Sequence, residues 1–261
     1  MKNAQVYAVI DRAIEPSVID ACKRYDCEFW CLFPEPVDEE FTKVAPYLVK
    51  VNEAFNEWLI PKSTPWGFLF ESNEAPKVLR GHLRTLMDVE IEETKQRLFL
   101  RFYDPRILWS LLNAFEPLRL NHFLGPMQAL KTIFPHQTQS DFEQLALYRP
   151  FGYVTYQPFP LSQRQYQQVL EQCRHNLITE VAQLLKHDSE VFSEQLVNQL
   201  VDWGIAQPGP IKRIAELCLE QKITDWAQFP EQWQRFLSHK EFPTDYRVNS
   251  LLHEVRSAHV L

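Results

Sequence analysis

The feature that most constrains this chain is a change in apolar periodicity between Pro158 and Leu161. Upstream, short apolar and aromatic runs alternate with helix-length stretches. Downstream, apolar residues recur at helical spacing. The two periods demand different partners, strands pairing into a sheet and helices packing on one another.

Upstream, Gln5 to Ile10 is a short apolar run ending at Asp11, and Pro16 opens a helical stretch through Tyr25 with Val18, Ile19 and Cys22 on one side. Glu28 to Phe33 is aromatic, stops at Pro34 and reads as a strand. Tyr47 to Val51 reads as another strand and Ala54 to Leu59 as a helix. Trp66 to Glu71, opened by Pro65, reads as a strand. Val78 to Met87 has the spacing of a helix with Val78, Leu79, Leu83 and Leu86 inward. Arg97 to Tyr103 alternates, which predicts a strand with Leu98, Leu100 and Phe102 on one face and Phe99, Arg101 and Tyr103 on the other. Pro105 suits the first position of a helix carrying Leu108, Leu111 and Leu112. Strands and helices in this order predict a mixed or parallel sheet covered by helices. From Phe115 to Pro160 the pattern is irregular, broken at Gly125-Pro126 and Phe134-Pro135, with Tyr153 to Tyr156 as a further candidate strand.

Downstream, Ser162 and Gln165 form a capping box. Tyr166, Val169, Leu170, Cys173, Leu177, Val181, Leu184 and Leu185 follow at helical spacing. A second helix carries Val191, Phe192, Leu196, Leu200 and Trp203, with Gly204 as its stop. Pro210 opens a third with Ile211, Ile214, Leu217 and Cys218 inward, and shorter helices surround Trp233 to Leu237 and Arg247 to Val255. Short turns between them favour antiparallel packing. The fold class expected is therefore α+β: a mixed α/β lobe over residues 1–158, with a central mixed sheet covered by helices, and an all-α lobe over residues 159–261.

Composition narrows the chemistry. A net charge of -7 and the absence of any Lys/Arg run argue against nucleic-acid binding, which draws its affinity from phosphate neutralisation. The same balance argues against anionic membrane surfaces, and no apolar window is long enough to span a bilayer. The N-terminal stretch "MKNAQVYAVIDRAIEP" is interrupted by Asp11, Arg12 and Glu15 too early for a secretory leader. Five cysteines form an odd set, read as free thiols in a reducing cytosol. With 6 glycines against 18 prolines, the chain lacks a phosphate-cradling loop, and it has neither G-x-S-x-G nor H-E-x-x-H. Cys27 and Cys31 have no second ligand pair nearby, so no metal or cofactor is expected.

The most enzyme-like cluster is "RFYDPR": Arg101, Tyr103, Asp104 and Arg106. Asp104 at a strand end could serve as a general base or metal ligand, with Arg106 binding phosphate or carboxylate. It could equally cap the helix that Pro105 opens, and this is the more economical assignment. "RGHLR" places Arg80, His82 and Arg84 on one helix, where a salt-bridged face is the ordinary outcome. Aromatics make up 13% of the chain, more than one small sheet needs, which leaves some to line a groove for a partner's apolar helix or strand.

In order, "YAVIDRA" (Tyr7 to Ala13), "APYLVKV" (Ala45 to Val51), "WGFLFES" (Trp66 to Ser72), "VLRGHLRTLM" (Val78 to Met87), "LFLRFYDPRIL" (Leu98 to Leu108) and "FLGPM" (Phe123 to Met127) resemble the type VI secretion adaptors, or effector chaperones. The resemblance covers roughly residues 5–130. It implies a non-enzymatic cytosolic protein that binds a type VI effector, through the effector's N-terminal segment, and hands it to the VgrG spike, in some members through a PAAR tip protein. Expected contact residues are Trp66, Phe68, Arg80, Arg84, Arg101, Tyr103, Asp104 and Arg106. The competing expectations are a hydrolase using Asp104 with Arg101 and Arg106, and a structural scaffold subunit.

Overall fold

The computed structural model describes residues 4–133, 137–139, 158–186 and 190–258. The fold is α+β, and the chain divides into two compact units, residues 1–172 and 173–261.

The first unit is built on β1 (Gln5–Asp11), which pairs antiparallel with β3 (Pro46–Lys50) on one edge and β4 (Gly67–Ser72) on the other. With β2 (Phe29–Cys31), β7 (Ala129–Thr132) and β8 (Gln137–Gln139) they form a six-stranded sheet in the order β2-β3-β1-β4-β7-β8. Both faces of β1 are covered, which explains its unbroken apolar run. Tyr7 and Val9 join Leu48, Phe68 and Phe70 in one core, and Ala8 and Ile10 join Tyr47, Val49 and Leu69 in the other. Two helices, α1 (Val18–Arg24) and α3 (Glu53–Leu59), cover the second face with Val18, Cys22, Phe55 and Leu59. The first face is covered by α4 (Pro76–Thr85), α5 (Pro105–Ala114) and α6 (Pro117–Leu124), through Leu79, Leu83, Leu108, Leu112 and Phe123. A four-residue helix, α2 (Glu39–Thr42), precedes β3.

A second sheet of three short strands has the order β6-β5-β9, from β6 (Arg97–Phe99), β5 (Asp88–Ile91) and β9 (Phe159–Leu161). β5 pairs antiparallel with β6 and parallel with β9, so the mixed pairing expected from the element order belongs to this small sheet. The pairings of the large sheet all run antiparallel.

Several elements differ from the sequence expectation. The strand from Arg97 stops at Phe99 because Asp104 N–H closes a turn onto Arg101 O at 3.1 Å. That turn buries Phe102 and Tyr103 together, where alternation put them on opposite faces. Val78 is 38% exposed and not inward. β5 follows α4 after two residues with no Gly or Pro between them, so no punctuation marked it. α6 lies in the stretch whose sequence pattern is irregular, and Gly125, at φ +49°, is the residue that ends this helix. Tyr153 to Tyr156 lies outside the described residues.

The long helix α7 (Gln163–Leu185) starts at the expected capping box: Ser162 N–H donates to Gln165 Oε1 at 3.0 Å, and Gln165 N–H to Ser162 Oγ at 3.2 Å. Its first turns belong to the first unit, with Val169 and Tyr166 in or against that core, so the compact division falls later than the expected break at 158/159. Leu170 and Cys173, which share the helical apolar spacing, are exposed.

The second unit packs the end of α7 with α8 (Glu190–Asp202), α9 (Pro208–Glu220), α10 (Glu231–Ser238) and α11 (Thr244–Ala258). Val191, in the first turn of α8, is 63% exposed. Gly204 at φ +79° stops α8: its N–H donates to Val201 O at 2.8 Å and Ile205 N–H to Leu200 O at 2.8 Å, the paired bonds of a Schellman stop. The unit is tied by Arg247, only 3% exposed. Its guanidinium donates to Trp203 O at 2.9 Å, at the end of α8, and to Leu237 O near the end of α10. Helix C-termini carry partial negative charge, so these carbonyls serve where a carboxylate would otherwise be needed. Burial still holds the Arg247 pKa below its ordinary value. Among the described residues no helix is long and apolar enough to cross a membrane.

Two substitutions test this architecture. Arg247→Met orphans both carbonyls and should lower unfolding free energy by about 2–3 kcal/mol in urea titration. Gly67 sits at φ +145°, and a Cβ there would meet Val9 O at 1.9 Å. Gly67→Ala should therefore cost more than the roughly 1 kcal/mol scale of an ordinary backbone-propensity effect, read as a clear drop in melting temperature.

Candidate functional site

The motif residues converge on two polar networks and one groove, all in the first unit. The first network begins at Asp11, the last residue of β1, which is 1% exposed. Its Oδ1 accepts from Ala13 N–H at 2.9 Å, and its Oδ2 from the Arg101 guanidinium. Arg101 also lies 5.8 Å from the centre of the Tyr103 ring. Burial first, and the Asp11 charge second, push the Tyr103 hydroxyl well above the ordinary phenol range. One turn on, Asp104 caps α5. Its Oδ1 accepts from the Arg106 N–H and Nε at 3.0 Å each, and its Oδ2 from Arg106 Nη2 at 2.7 Å. Both carboxylates thus have both oxygens engaged, by a backbone N–H and a guanidinium. Neither lines the groove described below, and their chemistry here is to anchor backbone.

The second network lies on α4. Arg80 Nε donates to Cys31 O at 2.9 Å and its Nη2 pairs with Glu35. Arg84 donates to Leu32 O at 2.9 Å and to Phe33 O. The Arg80 hydrogen bond holds the Glu35 carboxyl below the usual range, while burial, with the Arg80 charge beside it, pulls the Arg84 guanidinium down. Together the two arginines hold residues 31–35 against the helix. On the same helix the buried His82 has its Nε2 2.8 Å from Phe123 O. A Cβ on Gly125 would meet that imidazole at 2.2 Å, so "RGHLR" and "FLGPM" are one packing unit.

Beside this network runs a groove of about 560 Å³ lined by Pro34, Arg84, Met87, Asp88, Arg97, Leu98 and Phe99. Phe99 is 56% exposed and meets Phe33 edge-to-face at 5.8 Å. All three β6 residues line it, and β6 is an outer strand of the small sheet among the described strands. Its lining is mainly apolar, with Arg84 and Arg97 set against Asp88, and the Arg97–Asp88 pair is loose at 3.9 Å. A mainly apolar hollow with a few charges at its rim has the composition of a protein-docking surface.

Of the eight contact residues expected from sequence, Trp66, Phe68 and Tyr103 are 1%, 0% and 1% exposed and sit in the cores. They present no side-chain surface to a partner in this fold. Arg101, Asp104 and Arg106 form the first network and Arg80 the second. Arg84 alone lines the groove. Sequence reasoning did not single out Pro34, Met87, Asp88, Arg97, Leu98 or Phe99 as a site. The available signal was Phe99, a large aromatic on the polar face of an alternating run.

Residues 6–122 are similar to a protein family described as a domain of unknown function (DUF4123). The matched span runs from β1 into α6 and contains both polar networks and the groove. No curated protein and no solved structure matches the chain.

The networks yield a stability prediction. Asp104→Ala removes the cap of α5 and the partner of Arg106, and should lower unfolding free energy by about 1–2 kcal/mol in denaturant titration. Asp104→Asn, which keeps an acceptor for the capping N–H, should recover part of that loss.

Proposed function

We propose that this protein is a non-enzymatic cytosolic adaptor that binds a type VI secretion effector, through the effector's N-terminal segment, and loads it onto the VgrG spike, directly or through a PAAR protein. The resemblance carried by the six ordered motifs supports this reading, and the family match covers five of them.

The observation that carries it is the open groove at Phe99. Asp11 is tied to Arg101 and Asp104 caps α5 and pairs with Arg106, while a large apolar ring stands 56% exposed over a mainly apolar hollow. Exposed aromatic surface beside a polar rim is what a docking site offers. A stable grip on an effector buries on the order of 1,200–2,000 Å² in total, so the groove is the anchor of a larger contact.

The test is co-expression with the product of the gene linked to this one in the genome, followed by size-exclusion chromatography. Co-elution is expected, and Phe99→Ala should weaken it by about tenfold in affinity with little change in melting temperature. A linked toxin and VgrG that both elute apart from the wild-type chain would contradict the proposal.

A further inference from the structure

We propose that β6 is a docking edge at which an extended segment of the partner joins the small sheet as an additional strand, with an acidic and an apolar side chain two residues apart on the face it shares with Arg97 and Phe99. The proposal rests on the adaptor reading only for whose segment it is.

The hydrogen-bond phase of the sheet supplies the geometry. Leu100 N–H donates to Met87 O and Ile91 N–H to Gln96 O, both at 2.9 Å, with Val89 opposite Leu98 between them. In an antiparallel ladder the bonding direction alternates residue by residue. Residues 96, 98 and 100 therefore turn their backbone groups toward β5, and Arg97 and Phe99 turn theirs to the open side. No hydrogen bond from a described residue reaches the outward N–H or C=O of either one. Such a row is a template for a further strand unless Pro, a bulge or a covering element blunts it, and β6 has no Pro and lies at an edge of its sheet among the described strands.

Charge selects the occupant. The groove lining carries Arg84 and Arg97 against Asp88, a locally cationic spot on a chain of net charge -7. Arg84 donates to main-chain carbonyls, and among the described residues no carboxylate forms an ion pair with it. A second copy of this chain would bring the same net-cationic lining to the edge, which opposes pairing. A strand that sets an acidic side chain beside Arg97 and, two residues along on the same face, an apolar one beside Phe99, with apolar residues on the Leu98 face, satisfies both the charge and the apolar lining.

Phe99→Pro removes the outward N–H and leaves the Leu98 and Leu100 bonds to β5 intact; Phe99→Ala removes the ring and keeps the N–H. A fluorescein-labelled peptide of valines with glutamate at every fourth position, titrated into the full chain and followed by anisotropy, separates the two. We expect saturable binding, weaker for Phe99→Pro than for Phe99→Ala by about tenfold, and weaker again when lysine replaces glutamate in the peptide. Arg97→Pro is the second variant at the same edge if Phe99→Pro lowers the melting temperature. Absence of saturable binding to the wild-type chain, or equal binding by the Pro and Ala variants, overturns the edge proposal whatever the linked toxin does. A toxin that fails to co-elute with wild type while the peptide binds as described sinks the adaptor reading and leaves the docking edge standing.

Discussion

A carboxylate at the end of a doubly covered central strand is the constraint around which the first unit is organised. β1 is bonded on both edges and packed on both faces, so Asp11 ends it at 1% exposure with its charge largely out of water. A buried charge without a partner is among the costliest features a fold can hold. Arg101 meets it from a position 90 residues further along the chain. That pairing fixes the turn at Arg101, which buries Phe102 and Tyr103 and delivers Asp104 to cap α5. Two motifs far apart in sequence are thus two halves of one interaction, and His82 with Gly125 makes a second such pair.

The same logic recurs where carboxylates are absent. Arg84 is satisfied by the carbonyls of residues 31–33, and Arg247 by the carbonyl ends of α8 and α10. In both cases a guanidinium with several fixed donors joins backbone segments that could not otherwise reach each other. Polar residues that stand out as motifs are therefore accounted for by architecture, and the surface beside them is what remains for a partner.

Much of the fold was legible locally. The capping box at Ser162, the stop at Gly204 and the cap-plus-proline start of α5 each depend on neighbours within a few residues, and each forms where the sequence placed it. The doubly buried β1 and β4 were legible from their continuous apolar runs. What local pattern could not supply was pairing. The antiparallel order of the large sheet, the short strand β5 and the turn that truncates β6 are set by contacts between distant segments. The site failed for a related reason. Trp66, Phe68 and Tyr103 look like docking aromatics, yet the cores absorb them, whereas Phe99 is left outside because the strand that carries it lies at an edge.

The most direct test is a double-mutant cycle on Asp11→Asn and Arg101→Met, measured by urea unfolding, with capture of the effector proposed as partner assayed on the same folded variants. The expected result is a coupling of about 1 kcal/mol or more between the two sites, together with capture of that proposed partner close to wild type at temperatures where the variants stay folded. Additive stability effects combined with loss of capture would contradict it, because the pair would then be part of the contact surface and not the anchor beneath it.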